Sequence, residues 1–458
     1  MVSMQEIVSL CKRRGFVYQS SEIYGGLQSV YDYGPLGVEL MRNLRDLWWK
    51  KFVLDRENIV GIETEIFMHP QVWVSSGHAK GFADPMVEDT KTNKRYRADH
   101  IIEEWCLQNK KDIPDCDNMS LEELDKFISE NKILSPDKNK LRSAQSFNLM
   151  FKTALGSVED KVSDLYLRAE TAQGMYVQFK NVLDSTRVKI PFGIAQQGTV
   201  FRNEITKGKF IFRTLEFQQM EIQYFFDGKN WEDMFHNTWR KEIEDWYINE
   251  LGIKPEKLKW KPHAKLIFYA KAAEDIQYKF PWGFDEVSGL HYRTDYDLDT
   301  HMKNSGVDLM YRDPDTNEKF LPHVLEATWG LNRNFLMVLC DAYTVENNRT
   351  YLNLSAKLAP YKVAVFPLVR NKENITERAR EVFKSLKNEF HSYYDDRGNI
   401  GKRYMYQDEI GTPFCVTVDY ETLENGTVTV RDRDTTVQER VPVAELVNWI
   451  KRKIENYK

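Results

Sequence analysis

Hydrophobic positions recur at helical spacing in one stretch near the start of the chain. Leucines and a tryptophan follow one another three or four residues apart over residues 36–48, which predicts an amphipathic helix with one buried face. The next apolar run, Ile59 to Phe67, predicts a strand that stops at His69-Pro70. A long helix feeding such a strand is typical of a dimer interface, although an internal packing layer would show the same pattern.

Two further runs, Gly193–Phe201 and Leu215–Phe226, predict strands on either side of a short loop that carries Lys207, Lys209 and Arg213. Successive side chains of a strand point to opposite faces, so the second run has an apolar face and a polar face. A polar row opposite a cation suggests a pocket wall, and a solvated sheet face is the alternative. The apolar face holds Met220, Ile222, Tyr224 and Phe226, and the polar face holds Phe217, Gln219, Glu221 and Gln223.

Changes in amino-acid composition and in hydrophobic pattern along the chain predict four segments. Residues 1–98 contain the amphipathic helix, and the charged stretch 99–165 predicts a helical insertion with a capping start at Ser120. Strand patterns joined by short loops over 166–357 predict an antiparallel sheet. Alternating strands and helices over 358–458 predict a separate α/β domain. Its strands are expected at Lys362–Leu368, Cys415–Val418 and Thr427–Val430, and its helices at Ile375–Glu389 and Val443–Ile454.

Three other clusters carry groups capable of chemistry: Arg168–Gly174, Gly289–His301 and Pro322–Arg333. The charged alternation in the second also fits a solvent-facing strand edge. The third predicts a strand, a glycine turn and a helix with Arg333 near its start. A guanidinium at the positive end of a helix suits a phosphate chain, although an arginine that only snorkels there would look the same. The sequence contains neither a P-loop nor a strand followed by G-x-G-x-x-G.

Composition narrows the class of protein. The 458 residues carry 64 basic and 69 acidic side chains, a formal net charge of −5, which disfavours a protein that coats nucleic acid but allows a local basic patch. Five scattered cysteines without a C-x-x-C pair disfavour a disulfide framework or a cysteine zinc site. No apolar run is long enough to span a membrane, and no secretory signal is visible. A reduced, cytoplasmic enzyme is expected.

Several of these motifs together resemble a known family. Phe201-Arg202-Asn203-Glu204 resembles motif 2 of the class II aminoacyl-tRNA synthetases, Gly330-Leu331-Asn332-Arg333 resembles motif 3, and 36–70 resembles motif 1. Within that class the chain is similar, over nearly its whole length, to the glycyl-tRNA synthetases of the α2 homodimer type. The same order of motifs continues in the runs Ser21–Gly26, Glu170–Gly174, Arg293–Leu298 and Arg431–Thr435.

The resemblance implies an α+β fold in which a class II antiparallel sheet with a helical insertion holds ATP and glycine, followed by an α/β anticodon-binding domain. It implies a glycine–tRNA ligase that forms glycyl-adenylate and pyrophosphate and then transfers glycine to the 3′ end of tRNA(Gly). The implied cofactors are ATP, as substrate, and Mg²⁺. The implied partners are tRNA(Gly), glycine and a second copy of the chain, without a membrane.

The resemblance also implies roles for individual residues. Arg202 and Arg333 would be catalytic, contacting the α- and γ-phosphates, and Glu286 would hold Mg²⁺. Glu204 would contact adenine. The ATP site would consist of Arg202, Asn203, Glu204, Phe212, Arg213, Phe217, Glu286, Val287, Gly330 and Arg333. The glycine site would consist of Arg97, Glu170, Phe217, Gln219, Glu221, Glu326, Thr328 and Gly330, with the three glutamates as candidates for the ammonium group.

Two positions depart from the family pattern. Ala169 stands where a proline is common, and Thr328-Trp329 stands where the family has serine and a small or aliphatic residue. The bulk of Trp329 is therefore expected to reshape the pocket wall. Filling the space beside the α-carbon would exclude larger amino acids without an editing domain. The rival hypotheses are an accessory homologue without ATP chemistry, and an adenylating enzyme for another small acid.

Overall fold

The computed structural model describes residues 2–116, 119–155, 163–204, 209–264, 266 and 270–456. The α-helices in chain order are α1 (Met4–Arg14), α2 (Pro35–Trp49), α3 (Pro70–Ser75), α4 (His78–Gly81), α5 (Ala98–Gln108), α6 (Leu121–Glu130), α7 (Ala172–Val177), α8 (Phe179–Ser185), α9 (Trp231–Asp233), α10 (Arg240–Asp245), α11 (Tyr296–Ser305), α12 (Leu331–Ala342), α13 (Glu373–Lys387), α14 (Ile400–Ile410), α15 (Tyr420–Asn425) and α16 (Leu446–Glu455). In the described part of the chain, none of the helices is long and apolar enough to cross a membrane.

The strands in chain order are β1 (Val17–Gln19), β2 (Tyr31–Tyr33), β3 (Ile59–Gly61), β4 (Ala83–Glu88), β5 (Arg95–Arg97), β6 (Gln145–Asn148), β7 (Lys152–Leu155), β8 (Ser163–Tyr166), β9 (Phe192–Phe201), β10 (Glu216–Phe226), β11 (Leu258–Pro262), β12 (Ala272–Phe280), β13 (Gly283–Thr294), β14 (Tyr311–Arg312), β15 (Lys319–Phe320), β16 (His323–Gly330), β17 (Tyr343–Glu346), β18 (Arg349–Leu352), β19 (Val363–Pro367), β20 (Ser392–Tyr394), β21 (Phe414–Val418), β22 (Thr427–Asp432) and β23 (Gln438–Pro442).

A large sheet forms the centre of the molecule. Its strand order within the described residues is β11-β12-β13-β16-β10-β9-β3. All neighbouring strands are antiparallel except β3 and β9, which run parallel. The antiparallel sheet predicted from the sequence is therefore confirmed. One face of the sheet packs on α2 and α12, and the opposite face carries the candidate site.

Strand β10 shows why the sheet has two chemically different faces. The even-numbered Met220, Ile222 and Phe226 are buried in the core beneath the sheet, and Tyr224 packs against that core. The odd-numbered side chains from residue 217 onward point to the other face, as the alternation predicted. Lys207, expected in the loop before this strand, lies outside the described residues.

The strand predicted over Ile59–Phe67 is wrong in length, because regular pairing covers only β3. Among the described residues, β3 lies at the sheet edge and pairs with β9, through Ile59 to Gly61. A Cβ at Gly61 would lie 2.2 Å from the Trp49 ring, so the end of α2 presses against the chain at this point. The alternation in 289–301 is also not one strand, because β13 ends at Thr294 and the remaining residues form most of α11.

The segment predicted as a helical insertion contains strands as well as helices. Helices α5 and α6 pack over a small sheet of order β5-β4-β6, and together they enclose a separate apolar core. Strands β4 and β5 precede the predicted boundary at residue 99, so this folded unit begins earlier in the chain than the predicted segment. α6 begins at the predicted capping box, in which Ser120 and Glu123 bond each other's backbone N–H groups. Residues 117–118 and 156–162 of this segment lie outside the described residues. Its strands were missed because three- or four-residue strands leave too short a period to recognise.

The C-terminal region holds a mixed sheet of order β20-β19-β21-β22-β23 with its own core. The predicted strands and helices are present there, while α14, α15, β20 and β23 were not predicted. Arg433 ties this sheet to the preceding segment, since its guanidinium donates to the carbonyls of Leu354 and Gly411, both at 2.7 Å. Nearby, Arg431 forms an ion pair with Asp408 at 2.8 Å.

Candidate active site

A cavity of about 530 Å³ opens on the polar face of the large sheet. Strands β10, β13 and β16 form its floor, and the segments 76–82 and 211–214 form parts of its walls. The sequence-predicted residues that line it are Glu170, Arg202, Glu204, Phe212, Arg213, Phe217, Gln219, Glu221, Glu286, Glu326, Thr328, Gly330 and Arg333. The structure thus brings together side chains from motifs separated by up to 163 positions, because adjacent strands of the sheet come from distant parts of the chain.

Three buried carboxylates form one end of the cavity. Glu170 precedes α7, and its Oε2 lies 3.3 Å from Nε2 of His78. Glu326 lies on β16, where Nη1 of Arg293 donates to Oε2 at 3.0 Å and the ring of His291 lies 2.8 Å from Oε1. Glu221 lies on β10 and has no cation among the described residues at ion-pair distance. Glu170 and Glu326 therefore each have a basic side chain beside them, and Glu221 has none among the described residues.

The pKa values of these carboxyl groups separate for the same reason. Burial alone would raise the pKa of Glu326, but Arg293 and His291 hold that pKa at about 2. Burial would also raise the pKa of Glu170, which His78 and Arg293 instead hold below its usual range. For Glu221, burial and the charges of Glu326 and Glu170 all act upward, so its pKa lies well above the usual range. The site thus contains one carboxyl group whose ionised form lacks a counter-charge.

A network behind the carboxylates fixes their positions. Arg293 is buried and forks onto Asp297 of α11, with Nε 2.8 Å from Oδ2 and Nη2 3.0 Å from Oδ1. The amide of Gln173 also donates to Asp297, at 3.1 Å, and to Glu170, at 2.9 Å. Because Arg293, Asp297 and Gln173 bond one another inside the protein, the network orients Glu170 before any ligand arrives.

Cations and aromatic rings form the middle of the cavity. The guanidinium of Arg202 lies 5.3 Å from the ring centres of both Phe82 and Phe217, and its Nε donates to the Ala169 carbonyl at 3.1 Å. None of the described carboxylates forms an ion pair with it. An arginine held between two rings, with its charge unpaired, is well suited to receive an anionic ligand.

A second arginine lies where strand β16 passes into helix α12. Nη1 of Arg333 forms an ion pair with Oε2 of Glu286 at 2.9 Å, and its guanidinium lies 4.6 Å from the ring centre of Phe212. Burial opposes ionisation of Glu286, but Arg333 lowers the pKa of that carboxyl group. Nearby, Nη1 of Arg213 lies 3.9 Å from Glu204. This end of the cavity combines two arginines with two carboxylates.

Comparisons with known proteins agree with this geometry. Residues 151–343 match the family model described as the tRNA synthetase class II core domain (G, H, P, S and T). Residues 362–453 match the model described as the anticodon binding domain. A glycine–tRNA ligase of Borreliella burgdorferi is 49% identical over 467 residues, covering 100% of this chain and 99% of that protein. The chain belongs to the glycine–tRNA ligase family.

Other members of this family align over similar lengths. A glycine–tRNA ligase of Treponema denticola is 47% identical and covers 100% of this chain and 98% of its own. One from Clostridium acetobutylicum is 47% identical and covers 99% of both. Among solved structures, a prolyl-tRNA synthetase from Cryptosporidium parvum superposes with a TM-score of 0.63 over 98% of this chain and 77% of its own. At 13% identity, that likeness supports the class II fold alone.

Three residues assigned from the family resemblance lie outside the cavity lining. The side chain of Val287 is buried in the core beneath the sheet and does not face the cavity. Arg97 is engaged at 3.1 Å by Asp84 and at 2.5 Å by Asp99. The N–H of Asn203 donates to the Leu149 carbonyl at 2.8 Å.

The Thr328-Trp329 departure from the family pattern has a simple structural outcome. Trp329 is fully buried on the helix side of the sheet, with its ring centre 5.4 Å from that of Trp48 and 4.7 Å from that of Phe52. The expectation that Trp329 would reshape the pocket wall is therefore wrong. Thr328 instead faces the cavity, and its buried hydroxyl has no hydrogen-bond partner among the described residues. Ala169 packs against Trp73, Met150 and Tyr166.

Sequence reasoning missed several residues that shape the cavity. His78, His263, Asp275 and His291 all line it. The first three belong to none of the predicted motifs, and His291 lies in the Gly289–His301 cluster, where it was assigned no contact. Arg293 and Asp297 stood in a noted cluster without an assigned contact. The signal for His291 is its pairing with Glu326 across the sheet, which requires the strand order. Strand order follows from long-range packing and cannot be derived from the local pattern.

Proposed function

We propose that the protein activates glycine with ATP to form glycyl-adenylate and pyrophosphate, and then transfers glycine to the 3′ end of tRNA(Gly). The observation that carries the proposal is the polarity of the cavity. One end presents three carboxylates, while the middle presents an unpaired arginine between two rings. An amino acid has an ammonium and a carboxylate that fit this order, and ATP supplies the phosphates that fit the arginines.

The ammonium group of glycine would bind beside Glu221. Glu170 and Glu326 already have cationic neighbours, whereas Glu221 has none among the described residues and is held by amide and hydroxyl groups. Thr171 donates to its Oε2, and Gln223 donates to its Oε1 at 2.9 Å. An incoming ammonium would supply the missing counter-charge. Gln219, Thr328 and Gly330 complete the lining around this position.

Arg202 and Arg333 would stabilise the phosphate chain. In the activation step, an oxygen of the glycine carboxylate attacks the α-phosphorus, and pyrophosphate leaves. Arg202 lines the same cavity as Glu221 and Arg333, and it would contact the glycine carboxylate and the α-phosphate together. Arg333 would exchange Glu286 for the γ-phosphate, helped by the N-terminus of α12. Positioning and charge stabilisation would supply most of the acceleration, without a general base from the protein.

The adenine base would bind between the aromatic groups of the cavity. Phe217 lies under Arg202, and Phe212 lies under Arg333, so each ring already serves as a stacking platform for a flat cation. A purine ring can use the same surfaces. Glu204, which lies beside Arg213, would accept from the exocyclic amine of adenine.

Glu286 fits a Mg²⁺ ion that is held jointly with the phosphates. Mg²⁺ in nucleotide sites uses one or two carboxylates together with phosphate oxygens and water. Glu286 faces the cavity, and Arg333 engages only its Oε2 in the described contacts. When bound, the ion would neutralise charge on the phosphate groups.

The remaining segments would serve the tRNA and a second subunit. We assign residues 1–98 and 166–357 to the catalytic domain, the segment 99–165 to an insertion, and 358–458 to anticodon binding in a cytoplasmic homodimer. Support for the dimer comes from exposed apolar side chains in the chain segments before and after β3, among them Leu54, Phe67 and Val74. Exposed apolar groups of this kind mark a surface suited to a partner.

Amino-acid-dependent exchange of pyrophosphate into ATP tests the activation step, with the twenty amino acids assayed separately. Exchange with glycine alone is the expected result. Exchange with another amino acid would overturn the assigned substrate. A folded protein that exchanges with none would overturn the activation step and favour an accessory homologue. Charging of tRNA(Gly) transcripts by the full chain then tests the transfer step.

A further inference from the structure

Three polar side chains meet at one side of the cavity and have no part in the proposed reaction. His263 follows β11, Asp275 lies on β12 and His291 lies on β13, and each lines the cavity. One possible ligand atom from each residue lies within 4.8 Å of the others. Nε2 of His263 is 2.9 Å from Oδ2 of Asp275, and the two imidazole ring centres are 5.6 Å apart.

The strand register places this cluster. The N–H of His263 donates to the Ala273 carbonyl at 3.0 Å, and Ala273 pairs with His291, so the two histidines flank one small residue across the sheet. Asp275 lies two residues further along the same face and pairs with Gly289. A Cβ at Gly289 would lie 2.9 Å from Cε1 of His291 and 3.4 Å from Oδ1 of Asp275. The His291 imidazole therefore occupies the space that a side chain at Gly289 would need.

The carboxylate of Glu326 contacts His291 in the way that carboxylates commonly contact metal-binding histidines. Nδ1 of His291 lies 2.8 Å from Oε1 of Glu326, which leaves Nε2 as the nitrogen available to a ligand. Histidines that bind metals commonly have their other ring nitrogen on a carboxylate, which fixes the ring and makes it more basic. This carboxylate contact is independent of the clustering of the three side chains.

The donor set indicates which cation would fit. Two imidazoles and a carboxylate suit Zn²⁺, whereas Mg²⁺ and Ca²⁺ prefer oxygen ligands alone. With bonds of roughly 2.0–2.1 Å, neighbouring ligand atoms in a tetrahedral zinc site lie about 3.3 Å apart. The spacing between His263 and Asp275 is close to that value, so a small adjustment would admit the ion. Three protein ligands leave a fourth position toward the cavity, as in open zinc sites.

We propose that His263, Asp275 and His291 bind one Zn²⁺ ion at the side of the cavity. Binding of the ion does not depend on the proposed reaction. Its consequence does rest on that reaction: the ion would hold His291, and through it Glu326, so that the amino-acid pocket keeps its shape. His291 is in this respect a positioning residue.

Metal binding by the full chain tests the site directly. Protein stripped of metal with a chelator is titrated with zinc sulfate against a chromophoric competitor, and Co²⁺ serves as a spectroscopic probe. We expect one Zn²⁺ per chain with a sub-micromolar Kd, and a Co²⁺ spectrum typical of four-coordinate nitrogen and oxygen ligands. All five cysteines are buried free thiols, so bands from thiolate-bound Co²⁺ should be absent.

Variants decide whether the three residues are the ligands. His263→Ala, His291→Ala and the nearly isosteric Asp275→Asn should each weaken zinc binding at least tenfold. His391→Ala is the matched control, since this histidine lies in the C-terminal region against the Pro360 carbonyl, and it should bind zinc like the wild type. Failure of the wild type to bind micromolar zinc would overturn the proposal. So would unchanged zinc binding by Asp275→Asn and His263→Ala, which would indicate adventitious surface sites.

Activity assays then separate the metal site from the proposed reaction. If zinc fixes Glu326 through His291, the stripped wild type should show a raised KM for glycine with little change in kcat, and added Zn²⁺ should restore it. His291→Ala should show the raised KM without restoration. A protein that binds zinc but catalyses no exchange would overturn the proposed function and leave the metal site standing.

Discussion

Glu221 and Glu326 share one hydrogen-bond donor: Nε2 of Gln223 lies 2.9 Å from Oε1 of Glu221 and 3.0 Å from Oε2 of Glu326. Two carboxylates this close would repel each other if both were ionised. Arg293 and His291 stabilise the charge on Glu326, so Glu221 is the carboxyl group of the pair whose pKa is raised. The electrostatic state of the pocket therefore changes when a cation arrives.

Glycine binding should release a proton from Glu221. Because the pKa of Glu221 lies well above its usual range, the free protein carries it neutral below that raised pKa, while the ammonium of glycine favours the ionised form. Glycine affinity should therefore rise with pH until the raised pKa is reached, and then level off. Calorimetry in buffers of different ionisation enthalpy measures the released proton.

The matching variant for this prediction is Glu221→Gln. It keeps the shape and the hydrogen-bonding capacity of the side chain but cannot ionise. We expect its glycine Kd to rise at least tenfold and to lose the dependence on pH. Proton release that persists in Glu221→Gln would assign the titration to another group.

Replacement of Arg202 should abolish activation without unfolding the protein. Arg202 makes one hydrogen bond, to the Ala169 carbonyl, and otherwise contacts two rings, so Arg202→Ala removes little structural support. Loss of a transition-state cation typically lowers the rate by about 10²–10³-fold. Pyrophosphate exchange measures the loss, and near-ultraviolet circular dichroism checks the fold.

The variant Arg202→Lys separates the effect of the positive charge from the effect of the guanidinium geometry. Lysine keeps the positive charge but lacks the planar fork that contacts two groups at once. Its exchange rate should lie between those of the wild type and Arg202→Ala. Exchange by Arg202→Ala within threefold of the wild type would contradict the role of this residue.

Trp329→Phe should lower stability and leave amino-acid selectivity unchanged. The indole packs against Trp48 and Phe52 on the helix side of the sheet, away from the cavity. The smaller ring leaves a cavity in the core, which should reduce the free energy of unfolding by about 1–3 kcal/mol. Denaturant unfolding measures the loss of stability, and pyrophosphate exchange with glycine and with alanine measures the selectivity. New exchange with alanine would show that the indole does shape the pocket.

Arg433→Met should destabilise the junction between the C-terminal sheet and the rest of the chain. The arginine side chain is fully buried and donates to two backbone carbonyls. Methionine fills a similar volume but leaves those acceptors unpaired, which should reduce the free energy of unfolding by about 3 kcal/mol or more. Arg440→Met, at a partly exposed ion pair on β23, is the control and should lose less than 1 kcal/mol.

The sequence predicted a strand or a helix correctly wherever the periodic pattern of hydrophobic and polar residues was long. β9, β10, β16 and α12 follow from their own residues, because each repeats its period often enough to be recognised. The length of β3 was overestimated because the apolar run continues to Phe67, whereas pairing with β9 ends at Gly61. The short strands of the inserted segment give no period at all.

Some residues of the candidate site could likewise be predicted from the sequence, and others could not. Arg202 could be identified from a motif along the chain, and the face on which Glu221 lies followed from the alternation of side chains in its strand. The position of Trp329 could also have been predicted from the alternation of side chains along a strand. Glu326, Thr328 and Gly330 share one face, and Trp329 therefore lies on the other. His291 and Asp275 could not be placed, because their proximity is created by strands that meet only in the folded sheet.

Because the two faces of the sheet differ in chemistry, they also determine which kinds of mutation the protein can tolerate. A substitution in β10 or β16 affects either the pocket or the core, according to whether its position is odd or even. Insertion or deletion of a single codon would instead rotate every following residue of the strand to the opposite side. In β10 such a slip would turn Met220 and Ile222 toward the cavity and bury Glu221 among leucines and tryptophans. Strand length is therefore as much a part of this active site as any side chain that lines it.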